Sequence, residues 1–123
     1  MSKDNTYLKD ILNAARSIRR FVDGVSKEGF IANEEKHEAV NRKFEIIGEA
    51  ARRLSPEARE KFPEIPWQLA SAMRNVLIHD YDEVNLNIVW NTAQDDLPKV
   101  IAQIEAYLAT QPPPGTATPG ENV

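Results

Sequence analysis

The chain has 123 residues, no cysteine and a formal net charge of −4. That length fits one domain, which at roughly 60–70% burial of its unfolded surface supports a core without staples. The lack of cysteine excludes disulfides, thiolate metal sites and a cysteine nucleophile, pointing to a reducing compartment, and the acidic balance argues against coating nucleic acid through an overall field.

The first residues, Met1 to Asn5, are polar and lack the apolar core of a signal peptide. No apolar run approaches the roughly 20 residues of a membrane span, so the expectation is a soluble, cytoplasmic protein with no membrane contact. Basic residues cluster locally, as Arg16, Arg19 and Arg20, Arg42 with Lys43, Arg52 with Arg53, and Arg59 with Lys61. Their helical spacing suits solvated faces with interspersed charges better than a phosphate-binding stripe.

Tyr7, Leu8, Ile11, Leu12, Ala15, Ile18, Phe21, Val22 and Val25 recur at steps of three and four, which predicts a helix from about Thr6 to Val25. Gly29 lies in the expected break. Asn33, followed by Glu34 and Glu35, has the form of an N-cap with acidic residues in the first turn. The helix it opens carries a seam of Val40, Phe44, Ile47, Ala51 and Leu54, with Ile46 and Ala50 beside it and Gly48 suited to a close backbone contact. His37 has no second histidine one turn away, so it suits a surface or packing role better than metal ligation.

Ser55-Pro56-Glu57 predicts a short helix that stops near Phe62-Pro63. Pro66 opens a third main helix with a stripe of Trp67, Leu69, Ala70, Met73, Val76 and Leu77. Asn85 caps a fourth, along Leu86, Val89, Trp90, Ala93, Leu97, Val100, Ile101, Ile104 and Leu108. Pro98 inside this run predicts a kink or break near Asp96. No stretch alternates with period two, so the expected fold is an all-α bundle of four main helices and a short one over residues 1–109. Residues 110–123, rich in proline, form the expected disordered tail.

The stretch Met73 to Tyr81 holds the strongest candidate site. At about 100° per residue Asn75 and His79 share one helix face, while Arg74 and Tyr81 share a neighbouring one. Arg74 and His79 also suit a helix C-terminus electrostatically, so spacing alone leaves a capping role open. There is no phosphate-binding glycine loop, nucleophile elbow or paired His-Glu metal motif. RNA is a substrate that needs none of these, because its 2′-hydroxyl attacks the adjacent phosphorus. Histidine moves protons near neutral pH, and Arg74 is suited to holding phosphate oxygens. Asn75 could fix the imidazole or contact substrate, and Tyr81 could stack on a base or carry a modification.

The run Arg74-Asn75-x-x-x-His79-x-Tyr81 is similar to the Arg-x4-His-x-Tyr motif of the HEPN superfamily, in particular its HepT-like toxins. Ile46-Ile47-Gly48-Glu49-Ala50-Ala51, Ile65-Pro66-Trp67 and Ile88-Val89-Trp90 resemble that family's helices, and the resemblance spans residues from about 5 to 108. It implies a four- to five-helix, HEPN-like bundle that dimerises and brings two copies of the catalytic pair Arg74 and His79 to a shared cleft, with Asn75 in support. It implies metal-independent endoribonuclease activity on tRNA or mRNA, without cofactor. It also implies a toxin role opposite a nucleotidyltransferase antitoxin that adds AMP to Tyr81. The alternative is a non-catalytic helical dimer that binds and regulates such a nucleotidyltransferase, a reading favoured by the acidic composition.

Overall fold

The computed structural model describes residues 2–67 and 85–111, and every regular element among them is helical. These are α1 (Ser2–Val22), α2 (Lys27–Ala32), α3 (Glu34–Arg53), α4 (Pro56–Glu60), α5 (Leu86–Asn91), a π-helical turn (Thr92–Asp96) and α6 (Leu97–Ala109). The fold is an all-α, HEPN-like bundle. Residues 68–84, with the expected third main helix and Arg74, Asn75, His79 and Tyr81, lie outside the described residues, as does the expected tail from residue 112.

The core forms where the apolar stripes of α1, α3 and α6 meet. Leu8, Ile11, Leu12, Ala15, Ile18 and Val22 of α1 are buried, as are Val40, Phe44, Ile47, Ala51 and Leu54 along α3 and its cap. α1 packs chiefly on α3 and next on α6. Gly48 is buried within the α3 seam. Truncating a core side chain such as Ile18 to alanine costs about 2–5 kcal/mol.

Three helix starts obey their capping residues. The Asn33 side chain accepts from Lys36 N at 3.0 Å, Ser55 Oγ from Ala58 N at 3.1 Å, and Asn85 Oδ1 from Asn87 N at 3.0 Å. The glycine expectation fails. Gly29 lies inside α2, where Ser26 Oγ accepts from its N–H at 3.0 Å, and an added Cβ would meet that oxygen at 3.1 Å. The chain reverses instead at Gly24, whose φ of 72° is left-handed and favours glycine. α2 escapes the periodicity because it is six residues long and buries only Phe30.

Pro98 leaves the fourth helical run continuous, with a π turn in place of a break. Leu97 N–H donates back to Thr92 O, a five-residue step. The next such bond would join Pro98 to Ala93 O, and proline has no N–H to give. Arg19 Nη1 reaches across from α1 to Ala93 O at 3.2 Å and to Gln94 Oε1 at 2.6 Å.

Candidate functional site

The two chain ends that flank residues 68–84 are held by specific contacts. On the N-terminal side, Trp67 Nε1 donates to both Arg59 O and Phe62 O at 3.2 Å, and Trp67 N donates to Ile65 O at 2.8 Å. The Phe62 ring meets Trp67 edge-on at 6.2 Å and Tyr107 of α6 at 5.4 Å. An indole N–H shared by two carbonyls, with its ring against Phe62, leaves residue 67 little freedom. On the C-terminal side, Asn85 fixes the start of α5, and α5 is tied to α2 by the Phe30–Trp90 ring contact at 5.3 Å. The frame thus fixes the boundaries of the segment that carries Arg74, Asn75, His79 and Tyr81.

Sequence reasoning used Trp67 only as a core residue and missed its two carbonyl partners. The signal was the pair Pro63 and Pro66, which stand four residues after Arg59 and Phe62 and have no N–H to give those carbonyls. His37 packs edge-on to Phe30 with ring centroids 6.1 Å apart, in keeping with its expected packing role.

Most of the clustered basic side chains are engaged within the molecule. Arg16 pairs with Glu105, Arg42 with Glu45, and both Arg52 and Arg53 with Glu49. Arg19 bonds Ala93 O and Gln94, and Arg59 donates to Leu54 O at 3.1 Å. Glu49 and then the Tyr7 hydroxyl raise the Arg53 pKa above the ordinary guanidinium value. Such pairing makes these clusters poor phosphate contacts, because a phosphate would have to displace a carboxylate already in place. Lys61 differs in being held by the Tyr107 hydroxyl at 3.2 Å and lying 5.0 Å from the centre of that ring.

Among the described residues, two of the cavities bear on these elements. One, of about 30 Å³, lies between Ile11, Phe44, Ile47, Trp67 and Leu97, with Thr92 and Asp96 as polar neighbours. It is too small for a nucleobase and reads as a packing gap. The other is an open groove of about 360 Å³ between α1 and α3, lined by Tyr7, Asp10, Arg42, Glu45, Glu49 and Arg53. Its charges are largely paired with one another.

Comparison with known proteins gives the fold its relatives. The family described as "Ribonuclease HepT-like" matches residues 11–107. The chain is 35% identical over 99 residues to a protein of Thermococcus cleftensis named "Probable ribonuclease HepT", an alignment covering 80% of this chain and 90% of the relative. It is 37% identical over 99 residues to a "Putative RNase" of Methanocaldococcus jannaschii, covering 80% and 91% of the two chains. A further "Putative RNase", of Caldanaerobacter subterraneus, is 36% identical over 108 residues, covering 88% and 96%. No solved structure matches. The family match runs from within α1 to within α6 and spans both framing contacts and the Arg74–Tyr81 stretch between them, so the chain belongs to the HepT-like family of the HEPN superfamily.

Proposed function

We propose that this protein is a metal-independent endoribonuclease and the toxin of a toxin–antitoxin pair. The observation that carries the reading is the family match over residues 11–107, a range within which Arg74, Asn75, His79 and Tyr81 fall. His79 removes the proton from a ribose 2′-hydroxyl as that oxygen bonds to the adjacent phosphorus. The bond from phosphorus to the 5′-oxygen breaks, and a second histidine, supplied by another copy, protonates the leaving oxygen. Arg74 bonds the phosphate oxygens where charge accumulates, and Asn75 orients the imidazole or the substrate. The products are a 2′,3′-cyclic phosphate and a 5′-hydroxyl.

Two copies of the chain are needed because one arginine and one histidine make a sparse site, and a two-fold axis doubles both. The partner is a nucleotidyltransferase antitoxin that transfers AMP to Tyr81. The added phosphate brings negative charge and bulk beside the motif, where it competes for Arg74. The compartment is the cytoplasm, where tRNA and mRNA are available.

The pairing of Arg16, Arg42, Arg52 and Arg53 with carboxylates favours a second reading, a helical dimer that regulates its nucleotidyltransferase without cutting RNA. Purified protein tested on RNA in EDTA, beside His79→Ala, separates the two. Cleavage by the wild type that is lost in His79→Ala upholds the nuclease, and equal cleavage or none removes it.

A further inference from the structure

Two buried polar atoms on α3, His37 Nδ1 and Asn41 Oδ1, have no hydrogen-bond partner among the described residues. Asn41 is only 6% exposed, and an acceptor so buried carries its desolvation cost until a donor arrives. The two residues stand one helical turn apart, on a face that Phe44 and the buried Gly48 continue. Both contacts that frame residues 68–84 lead to this face. Phe44 lines a cavity with Pro66 and Trp67, where the chain enters that stretch. His37 meets Phe30, and Phe30 meets Trp90 of α5, the helix that Asn85 opens where the chain leaves it. The stretch that carries the motif is therefore tethered at both ends to one face of α3, and Asn41, between His37 and Phe44, is the buried acceptor on it.

We propose that Asn41 is a positioning residue for RNA cleavage, its amide oxygen accepting a hydrogen bond from the His79 imidazole. The inference rests on the nuclease reading for its consequence and on the buried amide for its place. A histidine that moves protons through one ring nitrogen is held in one tautomer and orientation by an acceptor on the other. Asn41 suits that task because a neutral acceptor orients the ring without the large rise in pKa that a carboxylate would cause, so the imidazole still titrates near neutral pH. Arg74 is a poorer match. Its guanidinium has five donors and is shaped for charged oxygens, and a single amide oxygen would leave most of them unmet. His79 also lies six residues before Asn85, toward the end of the stretch that Phe30 and His37 tether. Asn75, one turn before His79, is then left to contact substrate.

The test is NMR titration of the full chain beside RNA cleavage, for the wild type, Asn41→Leu and Asn41→Asp. The chain has two histidines, so the imidazole signal missing from His79→Ala belongs to His79. Asn41→Asp should raise the His79 pKa by about 1 or more, as an opposite charge at hydrogen-bond distance does, and Asn41→Leu should lower it. Asn41→Leu should also lower kcat at least about tenfold, part of the roughly 100-fold or more that a positioned base contributes, with KM nearly unchanged. Its melting temperature should match or exceed that of the wild type, since leucine has the same branched shape without an unpaired oxygen. A His79 pKa unmoved in both variants overturns the inference, whether or not RNA is cut. Wild-type kcat in Asn41→Leu overturns it as well. Should the wild type itself fail to cut RNA, the nuclease reading falls, while a moved His79 pKa still upholds the hydrogen bond.

Discussion

Arg19 donates to the carbonyl of Ala93 that Pro98 leaves without a backbone partner. The two residues lie on different helices, yet the proline creates the need that the arginine meets. Arg19→Ala should destabilise the protein by about 1–3 kcal/mol, the usual cost of a buried acceptor left unpaired. In a Pro98→Ala background the new N–H can serve Ala93, so the same arginine change should cost at least about 1 kcal/mol less. Urea unfolding of the four proteins measures this coupling, and additive losses would show that the two residues act separately.

Acid stability should depend on Asp4. Its carboxylate accepts from Ser55 N at 3.0 Å and Ser55 Oγ at 2.7 Å, joining the start of α1 to the cap of α4. The backbone N–H first, and then the hydroxyl, hold the carboxyl below its ordinary pKa of 3.8. A depressed folded pKa means the contribution is fully present above the unfolded value and lost as pH falls through the folded one. Asp4→Asn should therefore be less stable than wild type by about 1–3 kcal/mol at neutral pH. The gap should hold down to about pH 5 and narrow below pH 4. Melting temperatures of both proteins from pH 7 to pH 2.5 test it, and a gap independent of pH would count against the carboxylate.

Trp67→Phe keeps a ring against Phe62 but removes the donor shared by Arg59 O and Phe62 O. Both carbonyls keep a backbone donor, Phe62 N and Ile65 N, so a stability loss of only about 1 kcal/mol is expected from the lost indole bonds. Cleavage should fall further than stability explains, because this contact holds the chain seven residues before Arg74. Activity measured well below the melting temperature separates the two effects.

Tyr81→Phe should remain able to cut RNA yet escape the nucleotidyltransferase. Intact-mass measurement after incubation with ATP and the partner should show added AMP on the wild type and none on the variant. Equal gain by both would place the modified group elsewhere.

The elements legible in the sequence were those set by local chemistry. Asn33, Ser55 and Asn85 announce their helices because a cap needs only the next three residues, and the α1 and α3 stripes need only periodicity. Gly24 and Gly29 were not separable, since which one turns the chain depends on φ, and φ is fixed by the short α2 that follows. Contacts such as Arg16 with Glu105, 89 residues apart, leave no mark in either local pattern. For the candidate site, motif spacing named Arg74, Asn75, His79 and Tyr81, while the frame around Trp67 depends on carbonyls that only the fold brings together.

α1 is bound to both ends of the chain's history. Asp4 holds Ser55, but Arg16 and Arg19 reach Glu105 and Ala93, and the buried Leu97, Val100 and Ile104 come from the same late region. During synthesis the first four helices emerge with part of the α1 stripe still uncovered, and the core closes only when α6 leaves the ribosome. A ribosome stalled before residue 97 therefore holds a chain that has its motif residues but lacks the helix against which α1 settles. Such unfinished chains should be sensitive to proteases, and competence should arrive with the last turns of α6.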